Sequence, residues 1–159
     1  DPGVHYQHSE IGYNYRMSNV VAGIGRGQMI VLDEWVRRRR DINNLYKEIF
    51  EPVNGIDVLT EPNDDYFSNH WLTAIKVDPD ESGISREEIR IKLLENNIES
   101  RPLWKPMHMQ PIFKKHPYYG SGLSEKLFEN GLCLPSGSNL KSQELERIRE
   151  ALITIFQST

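Results

Sequence analysis

The feature that most constrains this chain is a run of apolar residues at helical spacing. Val20, Val21, Ile24, Ile30, Val31, Trp35, Val36, Ile42, Leu45, Ile49 and Phe50 recur roughly every three to four positions. Ser18 is a suitable N-cap, and Pro52 and Gly55 end the pattern. A helix from Ser18 to about Phe50 is longer than most globular helices, so a kink or break within it is expected. The rest of the chain must then be arranged around that one long element.

Beyond it, shorter patterns alternate. Ile56–Leu59 reads as a short strand and Glu61–Asp65 as a polar turn. Asn69–Val77 reads as a stronger strand, with Trp71, Thr73, Ile75 and Val77 on one face. Asp78–Gly83 is turn-like. Ser85 and Glu88 have the spacing of a capping box, with Ile84 and Ile89 placed as a hydrophobic staple. The helix behind them is expected to reach Asn96 and to bury Ile89, Leu93 and Leu94. A strand is expected within Ile98–Leu103. From Pro102 to Gly122, prolines at 102, 106, 111 and 117 forbid regular structure. Ser124–Asn130 reads as a short helix stopped by Gly131, Leu132–Leu134 as a strand, and Ser142–Gln157 as a last helix with Leu145, Ile148, Leu152, Ile155 and Phe156 inward. This alternation predicts the α/β class: a small α+β domain at 52–159, a linking helix at 18–51, and a separate leading segment at 1–17.

The chain has 159 residues, of which 38% are hydrophobic and 26% charged. These values suit one globular domain with a slightly low apolar share. A net charge of −4 gives no broad attraction to nucleic acid or membrane. No stretch approaches the ~18 apolar residues of a membrane span, and no signal peptide is evident. A lone Cys133 makes a reducing cytoplasm the expected location. The leading residues DPGVHYQHSEIGYNYR lack a period and an initiator methionine, and they read as the middle of a longer chain.

Several clusters invite a chemical reading. Arg37–Arg40 is the most basic stretch, but four consecutive residues spread around a helix. Asp33 and Glu34 each lie four before an arginine, so a solvated helix surface is expected rather than a phosphate or nucleic-acid patch. Gly23, Gly25 and Gly27 fall inside the helical pattern, not between a strand and a helix. Close approach of another helix or chain explains them better than a phosphate loop. Among the histidines, only His5 and His8 are near one another, and a metal site is not expected. The segment Arg101-Pro-Leu-Trp-Lys-Pro-Met-His108 is a proline-stiffened loop of donors, fit either to hold an anionic or sugar ligand or to be plain surface. Gly12-Tyr-Asn-Tyr-Arg-Met-Ser18 is similar. Asn14 and Arg16 would point the same way in extended chain, toward a phosphate or carboxylate, or into a buried polar contact at the helix start.

HSEIGYNYRMSNVVAGIGRGQM, with Gln28 at its end, resembles the signature of the DegT/DnrJ/EryC1/StrS sugar aminotransferases. SRPLWKPMHMQPIF resembles that family's loop around Pro106, His108 and Gln110, and FENGLCLPSGSNL its closing segment. The Arg-Pro-Leu-Trp-Lys-Pro form resembles the branch making amino sugars of the bacillosamine type. The resemblance spans essentially the whole chain.

That resemblance implies a pyridoxal-phosphate-dependent enzyme of fold type I, a homodimer with shared active sites, here represented by its C-terminal part. It implies that Asn14 reaches the cofactor phosphate of the neighbouring subunit. Arg16, His108, Arg101, Trp104 and Lys105 would serve the substrate. The substrates implied are glutamate and a UDP-linked 4-keto-6-deoxy-N-acetylglucosamine, for surface glycan synthesis. Transamination needs a lysine to hold the cofactor and an acid for its ring nitrogen. In the family both precede the GYNYR segment, so this chain alone is expected to be inactive. Two other readings stand beside this one: a non-catalytic binding or regulatory module built on the same domain, and nucleic-acid binding through Arg37–Arg40, which the acidic neighbours disfavour.

Overall fold

The computed structural model describes residues 11–157. Among these, residues 11–33 belong to one compact unit and residues 34–157 to a second. In the first unit an irregular segment leads into helix α1 (Asn19–Phe50). Ser18 caps it: its Oγ accepts from the Val21 amide at 3.3 Å and its carbonyl from the Ala22 amide at 2.9 Å. The expected break does not occur, and α1 runs as one helix of 32 residues. Val20, Val21, Ile24, Met29 and Ile30 are all more than half exposed. A Cβ added at Gly23, Gly25 or Gly27 would meet nothing within 4 Å.

The second unit is built on a four-stranded antiparallel sheet in the order β1–β2–β4–β3. Its strands are β1 (Ile56–Val58), β2 (Thr73–Val77), β3 (Arg101–Pro102) and β4 (Gly131–Leu134). Between them lie the single turn α2 (Pro79–Ser82), α3 (Arg86–Glu95), α4 (Leu123–Asn130) and α5 (Ser142–Gln157). Directly paired residues of an antiparallel sheet share a face. The register Thr73↔Leu134 and Ile75↔Leu132 therefore sends those side chains one way, and Ala74↔Cys133 with Arg101↔Cys133 sends those the other. On the first face the core gathers Ile42, Tyr46, Ile49 and Phe50 of α1, Ile89 and Leu93 of α3, and Ile148, Leu152 and Ile155 of α5.

Local rules explain most of these elements. The Ser85–Glu88 capping box forms in both directions, and the staple residues Ile84 and Ile89 are both buried. Leu94, expected inside, is 55% exposed. The apolar stripe of a ten-residue helix is narrow, and Ile89 and Leu93 fill it. Trp71, expected on the buried face of a strand, lies before β2 and is exposed, because His70 takes a positive φ of 43° that interrupts the extended run. The strand expected within 98–103 shrinks to Arg101–Pro102, and residues 79–82 of the expected turn form one helical turn.

The arginine run is corrected by the structure. Arg38 donates to the Leu140 carbonyl at 3.3 Å and Arg39 to the Trp71 carbonyl at 2.7 Å. Arg40 donates to Glu61 at 2.7 Å and to the Ser68 carbonyl, and lies 4.5 Å from the Phe67 ring centroid. Three arginines thus satisfy groups in segments that have no ladder partners of their own. Glu61 also meets His70 Nε2 at 3.2 Å. The Arg40 guanidinium beside Glu61, with backbone donors, holds that carboxyl down to about 2, while burial pushes His70 below its ordinary value.

A second polar cluster pins the chain after β4. The Tyr46 hydroxyl donates to the Pro135 carbonyl at 2.8 Å, and the Thr73 amide to Ser136 Oγ at 2.8 Å. Ser136 Oγ donates onward to the Leu134 carbonyl at 2.8 Å, and Asn43 Nδ2 to Thr73 Oγ1 at 3.3 Å.

Candidate functional site

In the first unit, Asn14 and Arg16 are both exposed. Asn14 Oδ1 accepts from the Arg16 amide at 3.0 Å, an Asx turn that sets the backbone just ahead of the Ser18 cap. The side-chain carbonyl is thereby used, and the Nδ2 hydrogens remain for another group. Tyr13 and Tyr15 flank it with ring centroids 5.9 Å apart.

The other four candidates belong to the second unit. Arg101 sits on edge strand β3, facing away from the core with Cys133. Its guanidinium is held by Glu99, with Nε at 2.8 Å from the carboxylate. Trp104 follows and stacks on Trp71, with centroids 5.8 Å apart and planes 27° apart. Arg101 and Trp104 line one recess of about 270 Å³ together with Leu72, Ser100, Cys133 and Ser136. Ser100 Oγ is buried there with no hydrogen-bond partner, and burial pushes the Cys133 thiol up. Lys105 is exposed, and its carbonyl accepts from Gln110 Nε2 at 3.3 Å. That bond fastens the loop at the Gln110 position.

His108 is placed apart from that recess. It lies in a 3-10 turn (Met107–Met109) opened by Pro106, followed by a second turn at Pro111–Phe113. The loop is thus a chain of short turns, as its prolines require. The imidazole is not a free donor. Its Nε2 is 2.7 Å from Glu125 Oε1, and its ring stacks on Tyr118 at 3.7 Å between centroids with an 18° tilt. Glu125 comes from the first turn of α4, which Gly122 opens in the left-handed region at φ 75°. Tyr118, Glu125 and the pairing of Trp71 with Trp104 escaped sequence reasoning, since none shares a helical or strand spacing with the residue it touches.

Among the described residues no group of three or more histidines, cysteines or carboxylates could hold a metal, and His5 and His8 lie outside the described residues. Among the described residues, no helix is long and apolar enough to cross a membrane.

The folded form and the sequence both find close counterparts. The solved structure of Helicobacter pylori PseC, an aminotransferase involved in the biosynthesis of pseudoaminic acid, superposes with a TM-score of 0.81 at 19% identity over 100% of this chain and 43% of that one. Aminotransferase TlmJ from Streptoalloteichus hindustanus superposes with a TM-score of 0.81 at 21% identity, covering 98% of this chain and 41% of that one. These show the fold: a long helix followed by a small mixed domain, as the sequence led one to expect. In sequence, a putative pyridoxal phosphate-dependent aminotransferase, EpsN of Bacillus subtilis (strain 168), is 44% identical over 99% of this chain and 41% of its own length. A GDP-perosamine synthase of Escherichia coli O157:H7 is 33% identical over 92% of this chain and 38% of its own. The chain therefore spans about two fifths of the length of these relatives. The model of the DegT/DnrJ/EryC1/StrS aminotransferase family matches residues 2–153, and the chain belongs to that family.

Proposed function

We propose that the protein carrying this chain is a pyridoxal-phosphate-dependent aminotransferase that moves an amino group from glutamate to the 4-keto group of a nucleotide-linked 4-keto-6-deoxy sugar. The observation that carries this reading is the family match over residues 2–153. The 44% identity to a putative pyridoxal phosphate-dependent aminotransferase supports the cofactor. The residues present fit it: Asn14 keeps two amide hydrogens after its carbonyl is used by Arg16, and such a donor suits a phosphate oxygen. When bound, the cofactor supplies the electron sink for amino transfer.

On this reading the chain supplies binding and orientation. Asn14 holds the cofactor phosphate. Arg16 faces the substrate end, where a guanidinium pairs with a carboxylate or phosphate. Arg101, Trp104 and Lys105 serve the nucleotide sugar, Trp104 offering an aromatic face of which 65% is exposed. His108 contacts the sugar. The lysine that holds the cofactor lies outside these residues, so the chain by itself is inactive. The exposed apolar residues of the first unit, among them Ile11, Tyr13, Met17, Val20 and Ile24, support a homodimer in which a second copy covers them. Domain limits at 1–17, 18–51 and 52–159 assign those tasks in order: active-site crossing, linking helix, substrate domain. A cytoplasmic setting suits both a nucleotide-linked substrate and a lone buried Cys133.

The test uses the full-length protein with glutamate and a UDP-linked 4-keto-6-deoxy-N-acetylglucosamine, following 2-oxoglutarate and the mass of the sugar product. A GDP-linked keto sugar forms the second arm, because one relative is a GDP-perosamine synthase. Turnover only in the second arm would replace the UDP sugar. No turnover and no cofactor binding would leave a non-catalytic module of the same fold. Separately, borohydride treatment of this chain with pyridoxal phosphate should give no stoichiometric adduct at one lysine.

A further inference from the structure

We propose that Glu125 and Tyr118 are positioning residues that fix the His108 imidazole with its proton on Nε2, so that Nδ1 is the atom presented to a hydroxyl or N–H of the bound sugar. This rests on the placement of His108 at the sugar given above. An ionised carboxylate can only accept, so across the 2.7 Å contact His108 Nε2 donates to Glu125 Oε1. In a neutral imidazole the other nitrogen then carries the lone pair. Phosphate and carboxylate oxygens are acceptors themselves and do not match it. A sugar hydroxyl or acetamido N–H does.

The arrangement around the ring is built from several independent parts. Tyr118 covers one face of the imidazole at 3.7 Å. The Tyr118 ring folds back over Gly120, where a Cβ would run into its ring and hydroxyl. Gly122 adopts φ 75°, which turns the chain into α4 and brings Glu125 back toward the loop. Pro106 and Pro111 bracket the histidine and restrict its backbone. The His108 side chain keeps 20% of its surface exposed. A group held on Nε2 and on one face can rotate little, and orientation of that kind is what a recognition histidine needs.

The experiment uses the full-length protein with 15N-labelled histidine and measures the imidazole spectrum and the KM values of E125A, E125Q, Y118A, Y118F and H108A. The unaltered protein should show a protonated Nε2 and a bare Nδ1 at His108. E125A should give a mixture of tautomers and raise the sugar-nucleotide KM about tenfold, the scale of one misdirected hydrogen bond, with the glutamate KM unchanged. Y118A should behave likewise, Y118F should match the unaltered protein, and E125Q should lie nearer to it than E125A. In an H108A background, E125A should add nothing further. Unchanged spectra and KM values in E125A and Y118A, with H108A impaired, would overturn the positioning role alone. An H108A enzyme with a normal sugar-nucleotide KM would instead overturn the placement of His108 at the sugar, and the ligand half of this proposal with it. The conservative pair Y118F and E125Q keeps the test open should either alanine variant fail to fold.

Discussion

Replacing Tyr46 by Phe removes one atom from the centre of the second unit. Tyr46 has no exposed surface, and burial pushes its phenol above the ordinary value, so the hydroxyl is a neutral donor at neutral pH. It donates to the Pro135 carbonyl at 2.8 Å. The ring stays, with its stacking on Phe50 at 6.4 Å, so no large cavity forms. The loss is one hydrogen bond plus the desolvation of a carbonyl left without that donor, together about 1–2 kcal/mol. Pro135 cannot donate in compensation, and Ser136 is already committed to the Leu134 carbonyl and the Thr73 amide. The cost should therefore fall on the segment after β4. Amide hydrogen exchange read by mass spectrometry should speed up about tenfold, the factor that ~1.4 kcal/mol gives, at the Thr73 and Leu140 amides, whose bonds to Ser136 Oγ and the Gly137 carbonyl depend on that segment. Exchange in α3, whose helical hydrogen bonds do not involve that segment, should change less. Equal acceleration everywhere, or none, would refute the idea that the hydroxyl pins this segment.

Three further outcomes follow from the same packing. Leu93→Ala should destabilise by about 2–5 kcal/mol and Leu94→Ala by well under 1 kcal/mol in denaturant titrations, since only Leu93 is buried. Gly131→Ala should cost about 1–3 kcal/mol, because its Cβ would collide with Leu103 and with the Leu127 carbonyl of α4, which cannot move aside as a side chain could. Acid unfolding should depend on Glu61 and His70. Glu61 is depressed to about 2 by Arg40, so its contribution is present above the unfolded carboxylate value and is lost as pH falls through about 2. His70 is also depressed, so its contribution shrinks as pH falls below the unfolded histidine value near 6.5. Arg40→Met should raise the acid midpoint, and His70→Asn should flatten stability just below pH 6.5; an unmoved midpoint in Arg40→Met would separate the arginine from the carboxylate.

How much of this was readable beforehand depended on how local the cause was. The bounds of α5, the start of α1 at the Ser18 cap and the Ser85–Glu88 box rest on neighbours within four residues, and the sequence displays such neighbours directly. Trp71 was misplaced because period-two alternation continues through His70, while the backbone there turns to a positive φ. The arginine run was misread for a related reason. Asp33 and Glu34 are visible as near partners, whereas the Leu140, Trp71 and Ser68 carbonyls are not. The loop at 103–122 was recognisable as proline-stiffened and rich in donors, and His108 stood out within it. That its Nε2 is already taken by Glu125 could not be seen, since 17 residues and a left-handed glycine separate the two.

Adjacent residues Arg38 and Arg39 reach partners at very different distances along the chain, 102 and 32 residues away. Closing the longer loop costs about 1 kcal/mol more in chain entropy than the shorter one. The two bonds therefore have a natural order of formation during synthesis. Arg39 and Arg40 can find Trp71 and Ser68 before β2 is complete, and Arg38 must wait for the segment at Leu140. The helix that leads the domain is thus secured in two stages, with the second fastening delayed until residue 140 has been made.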